Sequence, residues 1–148
     1  MQKKIRKAVR SILVNENKIV AIQYKVKNKD YYDIPGGGIE ENENALKASI
    51  REFKEETGIE ILSQSSKGRV IIEYPNIIFD FLIFIVYDYK GEPKEFEENK
   101  SLWMDTQALL KQVKKFPTIE ILKYLDRDNI QLKIYADENH NIVKVEEL

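Results

Sequence analysis

The chain has 148 residues, a length that fits one domain, so we expect a single domain over residues 1–148. Its net charge is −1, so the chain lacks the excess of basic residues that is usual in proteins that bind duplex nucleic acid. It has no cysteine, which excludes a disulfide framework and a thiolate metal site.

The apolar segments of the chain are short. None reaches the ~18 residues that would span a bilayer, and the basic N-terminus MQKKIRKAVRSILV has no uninterrupted apolar core like that of a signal peptide. We therefore expect a cytoplasmic protein without a membrane partner.

The N-terminal third is predicted to be mainly β-structure. Apolar and β-branched residues dominate residues 5–14 and 18–26, and the polar Asn15-Glu16-Asn17 between them indicates a hairpin. A lysine-rich loop over 27–30 and a short strand at Tyr31-Tyr32 follow. The run Pro35-Gly36-Gly37-Gly38 is expected to interrupt regular structure.

The clearest helix covers residues 44–57. Asn42 or Asn44 could cap its start, and Gly58 lies where a C-terminal glycine belongs. Strands over 67–74 and 77–87 follow, and the second is apolar enough to be covered on both faces.

The last third begins with a long acidic loop over 88–100. Asp105 can cap a helix that ends near Phe116, and Pro117 can open another that carries Ile121, Leu122 and Leu125. Residues 130–145 read as a hairpin. The order of elements predicts an α+β class, or a sandwich with a sheet core.

The predicted helix has an acidic side and an apolar side. Glu52, Glu55 and Glu56 are i, i+3 and i+4 neighbours, and small side chains accompany them. Leu46, Ile50, Phe53 and Thr57 share the roughly opposite face, and the small residues beside the carboxylates are Ala45, Ala48 and Ser49.

Carboxylates at this spacing repel each other, and a divalent cation would remove the repulsion. Oxygen-only ligands favour magnesium or manganese. Arg51, four residues before Glu55, can pair with that carboxylate. The pattern of the helix alone is equally typical of an acidic face exposed to solvent. The residues that precede the helix are therefore needed to distinguish a metal site from such a face.

The segment from Gly37 to Ile59 resembles the Nudix box, G-x5-E-x7-R-E-U-x-E-E-x-G-U, in which U is a bulky aliphatic residue. Glu43, Arg51-Glu52, Glu55-Glu56 and Gly58 occupy its fixed polar and glycine positions. Phe53 stands at the first U position, and Asn42 stands where many members have glycine.

The resemblance implies the Nudix α/β/α sandwich with a mixed central β-sheet. It implies that Glu52, Glu55 and Glu56 bind Mg²⁺ (or Mn²⁺) with the carbonyl of Gly36. Glu43 would support the metals and Arg51 would orient the glutamates. A later acidic loop, which offers Glu95, Glu97 and Glu98, could supply a general base, and we favour Glu97.

The implied activity is metal-dependent cleavage of a pyrophosphate bond by attack of water at phosphorus. The substrate would be a nucleoside diphosphate linked to another moiety, such as a nucleoside triphosphate, a nucleotide sugar or a dinucleoside polyphosphate. Capped RNA also belongs in this set. A catalytically silent nucleotide sensor on the same fold is the alternative, and a protein-interaction domain explains the glycines poorly.

Base recognition and assembly are left open by the sequence. Aromatic residues that could stack on a base are Tyr24, Tyr32, Phe79, Phe81 and Tyr87. Core packing is the preferred interpretation of Phe79, Phe81, Phe84 and Trp103, and His140 receives no role. The C-terminal hairpin could supply the edge strand of a homodimer.

Overall fold

The computed structural model describes residues 2–148, which form ten strands and three helices. The strands are β1 (Lys4–Ile12), β2 (Val14–Asn15), β3 (Lys18–Val26), β4 (Lys29–Asp33), β5 (Gly36–Gly38), β6 (Glu60–Glu73), β7 (Ile77–Lys90), β8 (Asn99–Asp105), β9 (Ile130–Ala136) and β10 (Ile142–Glu147). The helices are α1 (Ala45–Thr57), α2 (Thr106–Gln112) and α3 (Thr118–Lys123). The α+β class is confirmed.

Six strands form a mixed sheet in the order β10-β9-β6-β7-β1-β5. β1 runs parallel to β7 and β9 runs parallel to β6, while the other neighbours are antiparallel. The glycine run was expected to interrupt regular structure, but this prediction is wrong. It forms the edge strand β5, in which Gly36 pairs with Arg10 and Gly37 pairs with Val9.

A second, antiparallel sheet is built around β3. β8 pairs along one side of β3, and β2 and β4 pair with it along the other side at opposite ends. The predicted hairpin is thus wrong in its first strand. Only Val14 and Asn15 fold back onto β3, because the chain leaves the mixed sheet at Leu13 and enters the second sheet.

The main core lies between the two sheets and includes residues of α2 and α3. Ile12, Ile72 and Ile83 of the mixed sheet belong to the same buried cluster as Ile19 of β3 and Ile121 of α3. Burial of such side chains gives roughly 1.5–3 kcal/mol each, so this layer dominates the stability of the fold. α1 packs on the other side of β3, where Phe53 is buried with Leu13, Val20, Ile59, Ile61 and Val86.

Several element boundaries differ from those expected. β8 was missed because its apolar residues follow directly on the acidic loop, and β6 begins at Glu60 rather than near Lys67. α2 ends at Gln112, and Leu125 lies beyond α3. Within residues 2–148 no helix is long and apolar enough to cross a membrane.

Candidate functional site

Helix α1 is fixed at both ends by local hydrogen bonds. The Asn44 side chain accepts from the backbone N–H of Lys47 at 2.8 Å, which selects Asn44 rather than Asn42 as the cap. Gly58 is left-handed, with φ 78°, and its N–H donates to the carbonyl of Lys54 at 2.9 Å. The carboxylates of the box therefore project from a helix whose first and last residues are fixed by its caps.

The acidic loop between β7 and β8 closes over the C-terminal end of α1. The N–H of Lys94 donates to the carbonyl of Thr57 at 3.0 Å, and Nδ2 of Asn99 donates to the carbonyl of Glu56 at 2.9 Å. These bonds satisfy two of the carbonyls that a helix leaves free at its end. The loop thus contributes backbone support to the site.

The buried side of α1 is wider than the one expected, because Phe53 and Thr57 are buried as predicted and small residues beside the carboxylates are buried as well. Ala48 and Ser49 are fully buried, and Ala48 packs with Val9 and Phe84 of the mixed sheet. Leu46, expected on the core side, is 48% exposed. Because small residues face the sheet, the helix lies close to it. Glu52 and Glu56 lie at this contact, whereas Glu55 stays on the open face.

The three box glutamates consequently have different surroundings. The side chain of Glu55 is 58% exposed, whereas that of Glu52 is 17% exposed. Glu56 is half-buried, and its Oε1 accepts from the N–H of Gly36 at 2.9 Å. The structure thus brings the glycine strand against two of the three glutamates.

The glycines of β5 are required for space rather than for unusual dihedral angles. A Cβ on Gly37 would lie 2.4 Å from Cδ of Glu52, and one on Gly36 would lie 2.0 Å from the carbonyl oxygen of Val9. Neither residue has a positive φ. Any side chain at these two positions would displace either Glu52 or the strand.

Arg51 is the hub of the acidic cluster. Its Nε and Nη2 donate to both oxygens of Glu43 at 2.7 and 2.9 Å, and its Nη1 donates to Glu52 at 3.0 Å and to Glu55 at 3.3 Å. Nη2 also donates to the carbonyl of Gly38 at 3.1 Å. The hydrogen bonds from Arg51, and one from the N–H of Glu40, lower the pKa of Glu43 to about 2.

The pKa values of the two enclosed glutamates shift in the opposite direction. Burial raises the pKa of Glu56 from 4.5 to about 7, and the negative charge of Glu52 adds to the rise, against the N–H of Gly36 and the charge of Arg10. Burial also raises the pKa of Glu52. Glu52 keeps one hydrogen bond from Arg51, which does not offset the effect of its burial, whereas no ion pair among the described residues reaches Glu56.

A hard divalent cation fits this donor set, because it prefers oxygen ligands and would supply the missing charge. Within residues 2–148, however, no three acidic or histidine side chains are arranged so that they could hold a metal ion together. Arg51 instead takes one oxygen each of Glu52 and Glu55. The oxygen ligands of these residues suit a cation, although Glu52 and Glu55 here point their carboxylates at Arg51.

The structure does not bring Glu97 to the box. Glu97 is exposed and lines a cavity of about 400 Å³ with Tyr24, Lys25 and neighbouring loop residues. No residue from Gly37 to Ile59 lines this cavity. Next to this loop, the side chains of Asn99 and Ser101 in β8 donate to the carbonyls of Glu56 and Thr57 at the end of α1.

Two charged residues near the box were missed by the sequence analysis. Asp33 is buried, accepts from the N–H of Ile34 at 2.8 Å and from the hydroxyl of Thr118, and its charge contributes to the raised pKa of Glu56. Arg10 stands opposite Gly36 in the sheet. Neither stands out in the sequence, because β1 also carries Lys4, Arg6 and Lys7, and β4 also carries Lys29 and Asp30.

The aromatic candidates divide into core and surface residues. Phe81 is buried in the main core and Phe79 packs partly buried against it. Tyr24 stacks on Tyr31 with ring centroids 5.8 Å apart, away from the box. Tyr87 is 67% exposed. The role of these residues in base recognition remains a prediction.

Three kinds of comparison relate this chain to known proteins. The model of the NUDIX domain matches residues 4–125. The chain is 30% identical to an 8-oxo-dGTP diphosphatase from Haemophilus influenzae over 112 residues, which cover 74% of this chain and 82% of that protein. It is 25% identical to an RNA pyrophosphohydrolase from Pelagibacter ubique, over 95% of this chain and 93% of that protein.

Solved structures show the same fold. The MutT protein from Bacillus halodurans superposes with a TM-score of 0.81 at 20% identity, over 95% of this chain and 96% of that one. The ORF135 protein of E. coli superposes with a TM-score of 0.71 at 23% identity, over 84% and 90% of the two chains. With the family model matched from β1 to the end of α3, and the box carboxylates gathered on α1 against the glycine strand, the chain belongs to the Nudix hydrolase family.

Proposed function

We propose that this protein uses Mg²⁺ (or Mn²⁺) to cleave the pyrophosphate bond of a nucleoside diphosphate linked to another moiety. The observation that carries the proposal is the enclosed carboxylate of Glu56, which accepts from the N–H of Gly36 and has no ion pair among the described residues. Beside it, burial raises the pKa of Glu52 despite the hydrogen bond from Arg51. A carboxylate kept in such surroundings is unfavourable for stability alone. It is favourable when a cation binds there.

The residues that would hold the metal are Glu52, Glu55 and Glu56, with the carbonyl of Gly36. When bound there, a divalent ion would offset phosphate charge and would lower the pKa of the attacking water. Glu55, the most exposed of the three, is the glutamate with most freedom to exchange Arg51 for an ion.

The other box residues act as positioning groups in this proposal. The guanidinium of Arg51 limits the rotamers of Glu52 and Glu55, and the two-pronged contact with Glu43 fixes the guanidinium itself. The N–H of Gly36 fixes one oxygen of Glu56 and leaves the other for a ligand. Glu97 as general base remains a prediction, and in the present loop conformation it would have to move toward the box.

The proposed substrates follow from the chemistry and from the relatives. A phosphoanhydride is common to the substrates that the names of the two curated relatives indicate, an oxidised deoxynucleoside triphosphate and an RNA. We propose 8-oxo-dGTP and RNA with a 5′-triphosphate as the first two compounds to test. Nucleotide sugars, dinucleoside polyphosphates and capped RNA complete the panel.

The experiment measures the release of monophosphate, phosphate and pyrophosphate from each compound at saturating Mg²⁺. Glu56→Gln should lower kcat by orders of magnitude, whereas Glu60→Gln, an exposed residue just beyond the box, should leave it unchanged. No turnover of any compound by the wild-type protein would favour the nucleotide sensor instead. Equal turnover by wild type and Glu56→Gln would refute the assignment of the glutamate.

Location and assembly complete the proposal. A cytoplasmic location and a single domain over residues 1–148 remain predictions. β10 is an edge strand with exposed Val143 and Val145, so it offers a pairing edge for a homodimer. Sedimentation of the full chain measures the oligomeric state directly.

A further inference from the structure

A second cavity beside the box is lined by Arg10. It has a volume of about 650 Å³, and its wall also includes Arg6, Gly37, Gly38, Phe79 and Phe81. Arg6 and Arg10 pair with Phe79 and Ile83 across the β1–β7 ladder, so their side chains share the face of the sheet that carries Phe79 and Phe81. The cavity therefore has basic and aromatic walls and borders the glycine strand.

Arg10 is placed close to the box. A Cβ on Gly36 would lie 2.8 Å from both Cδ and Nη1 of Arg10, so the guanidinium lies directly over that glycine. Its Cζ is 4.9 Å from the centroid of the Phe81 ring. This contact is within the range of a cation–π interaction and orients the guanidinium.

The hydrogen-bonding capacity of Arg10 is largely unused. Among the described residues, its only hydrogen bond from the side chain is the 2.9 Å bond from Nη1 to the carbonyl of Val9. Its Nε is buried and has no partner. A guanidinium has five N–H donors, and a buried donor without an acceptor is unfavourable.

A purely structural role as counterion to the box explains Arg10 less well. No ion pair within 4.0 Å joins Arg10 to Glu52 or to Glu56, whereas Arg51 makes such contacts with four glutamates. Arg10 thus acts on the carboxylates only from a distance, and no carboxylate of the described residues occupies its donors. An acceptor from outside the chain, whether water or a bound anion, would satisfy these donors.

We propose that Arg10 binds the phosphate chain of the substrate, with its guanidinium donating to phosphate oxygens above Gly36. A planar guanidinium with free donors matches two oxygens of one phosphate group. Phe81 holds the guanidinium from below, and Phe79 and Phe81 leave apolar surface in the same cavity for the remainder of the ligand. The inference rests on the proposed function, since it assumes that the phosphoanhydride lies at the box.

The test measures binding separately from turnover. The probe is α,β-methylene-ADP, whose bridging carbon resists cleavage, titrated calorimetrically in the presence of Mg²⁺. We expect Arg10→Met to weaken binding by about tenfold or more, because charge-assisted hydrogen bonds to phosphate are lost. Arg10→Lys should weaken it less, because the charge remains. Adenosine, which has no phosphate, should not distinguish the variants.

The control is Arg127→Met, which removes an arginine over an aromatic ring far along the chain, 4.1 Å from the centroid of Tyr124. It should bind the probe within twofold of wild type. In steady-state assays Arg10→Met should raise KM more than it lowers kcat. Should Arg10→Met fail to fold, Arg10→Gln replaces it with the same expected loss.

The outcomes separate the two proposals. Binding of the probe by Arg10→Met within twofold of wild type would overturn the role of Arg10, whatever the enzyme hydrolyses. Tight, Arg10-dependent binding by a protein that turns over nothing would overturn the proposed function alone. Failure of the wild-type protein to bind the probe would overturn the role proposed for Arg10, whereas the turnover panel alone would decide the proposed function.

Discussion

Glu56→Gln should make the metal-free protein more stable above neutral pH. The wild-type folded state holds Glu56 with its pKa raised from 4.5 to about 7 by burial. Between these values the unfolded chain has released the proton while the folded chain keeps it. The unfolded state then binds fewer protons, so the stability of the wild type falls as the pH rises through this window.

The size of the effect follows from the same shift. A rise from 4.5 to about 7 corresponds to roughly 3 kcal/mol at ~1.4 kcal/mol per pKa unit, and the half-buried state of Glu56 makes this an upper limit. Glutamine keeps an oxygen that can accept from the N–H of Gly36 but carries no charge. The variant should therefore gain up to about 3 kcal/mol at pH 8 and almost nothing at pH 4.

Urea unfolding in EDTA at pH 4, 6 and 8 measures this difference, with Glu60→Gln as an exposed control. Addition of Mg²⁺ at pH 8 should stabilise the wild type more than the variant, because a ligand stabilises only the state that binds it. If the stability difference between wild type and Glu56→Gln is the same at pH 4 and pH 8, the electrostatic account of the site is wrong.

Three further changes test the packing of the site. Gly37→Ala places a Cβ 2.4 Å from Cδ of Glu52, so kcat should fall at least about tenfold with little loss of melting temperature; unchanged kcat would contradict the required close approach. Arg51→Lys removes the two-pronged contact with Glu43 and should cost about 1–2 kcal/mol in chemical unfolding, together with activity; full activity would argue against its positioning role. Phe53→Ala empties a fully buried position and should cost about 3–5 kcal/mol in urea unfolding, and a loss below about 1 kcal/mol would show that the cluster repacks.

The helix of the site could be predicted because its signals are local. The cap at Asn44, the left-handed Gly58 and the periodicity of Phe53 and Thr57 all act within four residues along the chain. The identity of the box residues also depends on sequence spacing alone. Local hydrogen bonds and fixed spacing therefore gave both the boundaries of α1 and the family.

The partners of the strands could not be predicted in the same way. β1 pairs with β7 at a separation of more than 70 residues, and no local pattern distinguishes this from a hairpin with β3. The exposure of Leu46 could not be predicted for the same reason, because it depends on contacts with strands distant in sequence. Helical periodicity locates a stripe of apolar residues, but the sheet determines which small residues, here Ala48 and Ser49, face it.

The two arginines near the box differ in how many of their hydrogen-bond donors are left for a ligand. Arg51 donates to Glu43, Glu52, Glu55 and the carbonyl of Gly38, so its donors are largely taken by the protein itself. Arg10 donates to one carbonyl and leaves Nε without a partner. Since a phosphate can recruit only donors that the fold has not used, these hydrogen bonds support the proposal that Arg51 positions the glutamates and that Arg10 binds the substrate.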